Sequence, residues 1–466
     1  MKRSAFLTTF LFAMILVLVA AMPLAAAVVS VPFDHQTIQD AVDNAASGDV
    51  ISISSGTYAE AVLVEGKDLS FQSSGGGVII RGINPLGCSE ASWWDLGENP
   101  FPPIYTVTRG EADEVNLSFT GITFEAVEAY GDDDDDLVVI EPELHTTAAA
   151  LFAGSGVNLT VEDCQFNGGF MVAVLGTSYE NLFEDIEFYE FTPASVTMPL
   201  PVDVTVTNST FDGYYIAGVG LAGPLVTGSI SGSSFLGDTT FEIPMVEAGV
   251  DPMMVLSSMQ SSFLDGSLFT EGLAPQDDDA IDPDDVMTDV SAAGVLILNG
   301  NSDVVTLTDN DFSRNLIGVG VLKEVTVREE VLDPSRSVMT VSTVFSGDNV
   351  LADNLIGVAA IGGLDIDLVW SPDNYLDIYD VYPAVEPMRI SISDQENIER
   401  NLVGVVLAGS VSADVTGNTF TDNLLIGVAG LGSLMGSSIS DNVFNGTMGA
   451  NILVGLGSEM PLAGSL

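Results

Sequence analysis

Carboxylates are the most abundant reactive groups in this chain, and they gather into two dense runs. The first covers Asp132 to Asp136; the second holds Asp277, Asp278, Asp279, Asp282, Asp284 and Asp285. Hard cations such as Ca²⁺ take several carboxylate and carbonyl oxygens at once. Asp132, Asp134 and Asp136 therefore make one candidate calcium site, and Asp277, Asp279 and Asp282 another. Neither run has the spacing of an EF-hand, and glycine-rich nonapeptide calcium repeats are missing, so the competing reading is a solvated acidic loop. Aromatic residues collect in similar stretches: Trp93 and Trp94; Tyr179, Phe183, Phe188, Tyr189 and Phe191; Trp370, Tyr375, Tyr379 and Tyr382. Rings that stack on sugars, beside carboxylates that bind hydroxyls, are what an elongated saccharide site needs. The competing reading is that these rings pack loops onto a scaffold.

Other reactive types are scarce. His35 and His145 have no neighbours in sequence that form a triad or a metal site. Cys88 and Cys164 are the only cysteines. They make one disulfide in an exported protein, or else two small buried side chains in separate repeats. The basic candidates in the body are Arg314, Arg328, Arg336, Arg389 and Arg400. Arg314 and Arg400 stand directly before Asn-Leu-(Ile/Val)-Gly-Val, and Asp353 and Asp422 hold the same place in other repeats. The order Arg, Asp, Arg, Asp predicts a surface ladder of alternating charge rather than a catalytic base.

The charge bounds the partners. With 66 acidic and 11 basic residues the formal charge is −55, which repels nucleic acid and anionic lipid head groups. Three readings of the acidity stand side by side: adaptation to high salt, where screening removes self-repulsion; divalent-cation binding; and an incidental acidic surface. A hydrophobic content of 47% and a mean hydropathy of +0.38 exclude a disordered acidic polymer.

The elements that would position these groups repeat. Asn401 to Gly432 reads nearly the same phrase twice, with Gly404 and Gly427 23 positions apart. A period of this size is the signature of a solenoid, and the alternating β-branched units make its coils strands. The unit is an apolar strand, a polar turn, a Phe, then a Gly-rich apolar strand. Instances end at Phe124, Phe166, Phe211, Phe235, Phe312, Phe345, Phe420 and Phe444. Stacked about 4.8 Å apart, these rings are expected to form an internal ladder. Asn310, Asn418 and Asn442, each two before a Phe, are expected to satisfy turn backbone groups.

At the N-terminus, Lys2 and Arg3, the apolar run Ala5 to Ala21 and the Ala25-Ala26-Ala27 site read as a signal peptide over 1–27. Its removal leaves 9 basic against 66 acidic residues, or −57. A run this long also suits an uncleaved anchor; no second membrane segment is evident, and no cysteine near the site marks a lipoprotein. Thr37 and Asp40 then sit at capping-box spacing. Ile38, Ala41, Val42 and Ala45 form one apolar face of a short helix that covers the open end of the strand array. Strands are expected at 50–53, 61–64, 69–71 and 78–80, with Gly56-Thr57-Tyr58 as a turn. Insertions at about 88–105, 125–145, 176–201, 237–251, 265–288, 323–337 and 364–387 read as loops on one domain spanning 28–466. No cap is visible after the strand Asn451 to Leu456. Solenoid ends need cover: the final residues fold over the end, another chain does, or the sequence is truncated.

The stretch Thr37 to Ile80, from Thr-Ile-Gln-Asp-Ala-Val through Gly-Thr-Tyr-Ala-Glu, resembles the opening of pectin lyase-like right-handed parallel β-helix proteins, a group that includes pectin methylesterases. The resemblance implies that fold; it is poor evidence for any one reaction. The Asn-Thr-Asp and Gly-His-Gly motifs of polygalacturonase-like members are absent, and no catalytic aspartate pair of the methylesterases is found. A hydrolase needs two carboxylates at a defined separation, and among 66 acids such pairs carry no specificity. The sequence reading is an exported cell-surface or extracellular β-helix protein with a structural or binding role, its partner a polysaccharide or another surface protein. The alternative is a polysaccharide lyase or glycoside hydrolase of the same fold. An acidic wall suits neutral or cation-bridged glycans better than bare polyuronates.

Overall fold

The computed structural model describes residues 26–81, 104–107, 114–126, 147–178, 200–223, 225–237, 293–299, 304–323, 326–328, 342–362, 364–370, 376–383, 387–434 and 436–456. Through them the chain winds as a right-handed parallel β-helix whose strands stack in three rows. The first row climbs from Val28–Val31 through Asp49–Ile53, Leu69–Ser73, Val115–Thr120, Val157–Glu162 and Val202–Thr207 to Ser438–Ser440. The second is short-stranded, from Gly56–Ala59 and Val78–Arg81 up to Val443–Asn445. The third runs from Val62–Glu65 to Ala450–Leu456. Gly56–Ala59, expected as a turn, is a strand because it pairs in register with Val78–Arg81 of the next coil.

Alternation in sequence sets the inside and outside of each strand. In Val202–Thr207 the three valines are buried, while Asp203, Thr205 and Thr207 are half-exposed. Along the second row the expected phenylalanine ladder forms: Phe124, Phe166, Phe211, Phe235 and Phe312 stack with centroids 4.5–5.1 Å apart, and Phe420 stacks on Phe444 at 4.8 Å. Two coils depart from it. Leu351 follows Phe312 and Ile398 precedes Phe420 in register, so the ladder is aliphatic there. Phe345 belongs instead to the first row, between Leu307 and Ile392.

The glycines of the third row are required by close approach. A Cβ on Gly357 would lie 2.5 Å from the carbonyl oxygen of Gly404, and one on Gly404 would lie 2.6 Å from that of Gly427. Within the same row Ile317, Ile356, Val403 and Ile426 stack in register and belong to an apolar cluster separate from the interior core.

The N-terminal end is closed by a helix, α1 (Ile38–Asn44), which buries Ile38, Ala41 and Val42. Thr37 caps it, its Oγ1 accepting from the Asp40 amide at 3.1 Å. The reciprocal half of a capping box is replaced. Asp40 turns to His35, with Oδ2 2.9 Å from Nδ1, while Glu60 accepts the amides of Ile38 and Gln39 at 2.8 and 3.2 Å. Lys67 donates to the carbonyls of Val42 and Asp43 at the other end, at 2.9 and 3.1 Å. Carboxylate at the start and ammonium at the finish both suit the helix dipole. The Gln39 amide meets the Leu63 backbone in both directions, at 3.1 and 2.7 Å. Among the described residues no helix is long and apolar enough to cross a membrane.

Two insertions expected as loops cooperate. Leu364–Trp370 and Leu376–Pro383 form an antiparallel hairpin, and Thr326–Arg328 adds a parallel strand to it, making a three-stranded sheet beside the coils' own.

Candidate functional site: a hydroxyl-lined face

The outward positions of the first row form a site that the sequence reading did not single out. In coil after coil they carry hydroxyls two residues apart: Ser118 and Thr120, Thr205 and Thr207, Ser229 and Ser231, Thr306 and Thr308, Ser391 and Ser393, Ser438 and Ser440. In-register pairing lines them into two columns, as in Thr160↔Thr205↔Ser229↔Thr306 and Thr207↔Ser231↔Thr308↔Ser346. The parallel ladder spaces neighbours about 4.8 Å up the stack, and the pleat spaces the columns roughly 6.6 Å apart along the strand. Val344 and Asp414 interrupt the first column and Glu162 the second. A signal was available: six coils spell Ser/Thr-x-Ser/Thr just before the first turn, with an apolar middle residue facing inward.

These groups are half or fully exposed, and they bond along the columns. Ser118 Oγ donates to Ser70 Oγ at 2.9 Å, and the Thr308 and Ser346 hydroxyls lie 2.6 Å apart. A third column begins the strands: Asn158 donates to Asn116 at 3.1 Å, and Thr227 donates to Asp203 at 2.6 Å. Near the N-terminal end the face dips into a shallow depression of about 180 Å³, lined by Asp68, Ser70, Asn116, Ser118, Asn158 and Thr160 among others. That is below the roughly 300–1,000 Å³ of an enclosed small-molecule pocket, so the site is a surface track rather than a cavity. Burial pushes the Asp68 carboxyl up, but hydrogen bonds from the Asn116 amide and side chain and from Ser47 outweigh this and hold it below its ordinary value.

Turn residues fix the edges of the face. One amide column runs Ser233, Asn310, Asn349, Gln395, Asn418, Asn442. Each backbone N–H donates to the next side-chain oxygen at 2.9–3.1 Å. The expected role of Asn310, Asn418 and Asn442 is the one seen. A second column, Asn315, Asn354, Asn401, Asn423, works the same way at the next turn, at 2.8–3.1 Å; it lies one residue past the Arg/Asp series. That series makes an ion pair: Arg400 binds Asp353 with both ends of its fork, at 2.8 and 2.9 Å, and also pairs with Glu399. Hydrogen bonding to Asp353 raises the Arg400 pKa above its ordinary value.

Most loop candidates, namely Trp93, Trp94, Tyr179, Tyr189, Tyr375, Asp132, Asp134, Asp136, Asp277, Asp279, Asp282, Cys88 and His145, lie outside the described residues. Trp370 ends a hairpin strand opposite Leu376, and Tyr379 is the residue passed over where the hairpin register shifts. Cys164 is a free buried thiol, with Sγ 3.5 Å from the Phe119 carbonyl and 3.3 Å from that of Glu162. Its burial pushes the pKa up to about 11. Among the described residues no group of three or more His, Cys, Asp or Glu is placed to hold a metal ion.

No family model matches the chain. No curated protein matches it either. Among solved structures it is similar to the mannuronan C-5 epimerase AlgE4 A-module of Azotobacter vinelandii, at 11% identity over 94% of this chain and 96% of that one, with a TM-score of 0.45. It is also similar to pectin methylesterase PemA from Erwinia chrysanthemi, at 11% identity over 91% and 93%, TM-score 0.35, and to the periplasmic alginate epimerase AlgG, at 11% over 92% and 82%, TM-score 0.36. At this identity the likeness is one of fold.

Proposed function

We propose that the chain is an exported, carbohydrate-related β-helix protein that binds a neutral polysaccharide along the hydroxyl-lined face of its first strand row. One observation carries the reading: Ser/Thr columns in register over coil after coil, on the outward side of the strand row. Hydroxyls both donate and accept, as sugar hydroxyls do, and each hydrogen bond is worth only about 0.5–1.5 kcal/mol net. A polymer lying along the stack makes many such bonds at once, and linked contacts raise the affinity of the whole. The surrounding acidity repels polyuronates and leaves neutral glycans unopposed.

The test is a glycan array with the mature chain, paired with assays for new reducing ends and for unsaturated products, each with and without Ca²⁺ and high salt. Binding to neutral glycans without product formation supports the proposal. Product formation would assign a lyase or hydrolase instead, and absence of neutral-glycan binding under every condition would end it.

A further inference from the structure

We infer that the depression at the N-terminal end of the hydroxyl face is an anchoring subsite for one unsubstituted sugar ring, held through ring hydroxyls that act as donors. The inference rests on the polysaccharide reading above and adds a specificity to it. The depression is lined by Asp68, Ser70, Asn116, Ser118, Asn158 and Thr160 among others, and it lies where the track stops. The column Ser70, Ser118, Thr160 continues upward through Thr205, but the residue in register below Ser70 is Val50. A polymer following this column toward the N-terminal end meets its last hydroxyl here. At the same place it meets a recess and a carboxylate.

The hydrogen bonds already made determine what the recess can take. Asp68 Oδ1 accepts the backbone amide of Asn116 at 2.8 Å and its side-chain amide at 3.0 Å. Asp68 Oδ2 accepts the Ser47 hydroxyl at 3.1 Å. A carboxylate has about four acceptor sites over its two oxygens, so Oδ2 keeps room for one more donor. Asn158 donates its side-chain amide to Asn116 Oδ1 and Glu114 Oε2, at 3.1 and 3.4 Å. Its own Oδ1 accepts nothing among the described residues. The recess thus offers two open acceptors, one of them a carboxylate oxygen, beside hydroxyls that turn either way.

Free sugar hydroxyls supply the donors that this arrangement calls for. An O-methyl or O-acetyl group removes the donor. A sulfate or a uronate brings negative charge toward Asp68 and Glu114, a like-charge contact that works against binding.

Titration calorimetry of the mature full-length chain with cellohexaose, mannohexaose and xylohexaose tests this. At least one is expected to bind. Asp68→Asn and Thr160→Val should each weaken that hexaose by about tenfold, the worth of one well-held hydrogen bond. Thr160 is exposed, so its variant keeps the fold whatever Asp68→Asn costs. Saturation-transfer NMR on the native chain needs no variant: an anchoring subsite concentrates the transfer on one terminal ring. If no hexaose binds, the inference and the polysaccharide reading fall together. If one binds but ignores both variants, or receives transfer evenly over its rings, the inference alone is overturned. A glucosamine hexasaccharide that binds more tightly than every neutral hexaose would also overturn it, assigning the recess to an ammonium group.

Discussion

Asp309 reaches one coil up the stack and closes over Gly347. Its Oδ1 accepts the amide hydrogen of Asp348 at 2.8 Å, and a Cβ on Gly347 would overlap that same oxygen. The column containing them reads Asn208, Gly232, Asp309, Gly347, Asp394, Gly417, Asp441, each with φ between 51° and 71°. Side chain and glycine alternate without exception over these coils. Asp309 and Asp394 each gain the room left by the glycine above, and the successive acids of this column, Asp309, Asp394 and Asp441, stand two coils apart. That is about 9.6 Å on the usual strand spacing, close to the Debye length of about 10 Å at 0.1 M salt. The alternation is a way to stack turns in a chain of charge −55.

Gly347→Ala should lower stability by about 1–3 kcal/mol, since it places a Cβ at positive φ and against Asp309. Adding Asp309→Gly removes the obstructing oxygen and should recover part of that loss. Urea unfolding of the two single variants and the double variant gives the coupling; strictly additive effects would show that the two residues do not meet as described.

The amide columns are the other support of the turns. Asn354 accepts from the Asn315 amide at 2.8 Å and donates to the Phe312 carbonyl at 2.9 Å, all within a buried turn. Asn354→Ala orphans both groups, each costing about 1–3 kcal/mol. A loss of several kcal/mol in denaturant unfolding is expected. Asn354→Asp keeps the acceptor but turns a carboxylate oxygen toward the Phe312 carbonyl and the Asn401 side-chain oxygen, so it should also destabilise the chain.

Much of this scaffold was legible in the sequence, and the exceptions are physical. Period, alternation and the Phe spacing are local patterns, so the coil and its aromatic ladder could be read directly. Phe345 misled because it is an inward residue of a first-row strand, in register with Leu307 and Ile392, while the ladder position of that coil is held by Leu351, which no aromatic marks. Gln395 hid its amide by standing three before Ile398 rather than two, with a longer stem that still reaches the column. The Arg400 fork was half legible: the alternation of Arg and Asp gave the ladder, but not that Arg400 turns back to Asp353. The insertion at 323–337 read as a loop because the partner of its strand Thr326–Arg328 lies in another insertion, whereas the strands of 364–387 pair with each other as a hairpin. The hydroxyl face was overlooked because Ser and Thr on an exposed strand are ordinary singly; their meaning appears only when coils are placed in register.

Asp68 gives an acid-side signature. Its folded pKa is lowered by Asn116 and Ser47, so its stabilising contribution is present above the unfolded carboxylate value. That contribution is lost as pH falls through the folded value. Asp68→Asn should flatten this part of the stability-against-pH curve. Unchanged acid sensitivity in thermal melts between pH 3 and pH 6, each scan about a pH unit apart on the range where carboxylates titrate, would contradict it.

Cys164 should be silent in the native state. With burial raising its pKa to about 11, almost no thiolate exists at neutral pH, and the thiolate is the reactive form. Titration with a chromogenic disulfide should detect no reaction at Cys164 until denaturant is added, and two thiols after. Finding no thiols in the unfolded, unreduced chain would mean that Cys88 and Cys164 are joined.

Interruptions in the hydroxyl columns supply the sharpest test of the proposed face. Val344 sits in register with Thr306 below and Ser391 above, so the track is broken there by one side chain of nearly the same shape as threonine. Val344→Thr should restore the column and strengthen neutral-glycan binding. Thr205→Val and Thr306→Val together should weaken it by about tenfold, two hydrogen bonds of roughly 0.5–1.5 kcal/mol each being lost. All three substitutions are at outward, half-exposed positions, so melting temperatures should move little. Titration calorimetry against whichever neutral glycan binds best would give the order Val344→Thr, native chain, double valine variant. If affinity ignores these changes while loop aromatics such as Trp93 or Tyr179 govern it, the binding surface lies in the insertions and the hydroxyl face is scaffold.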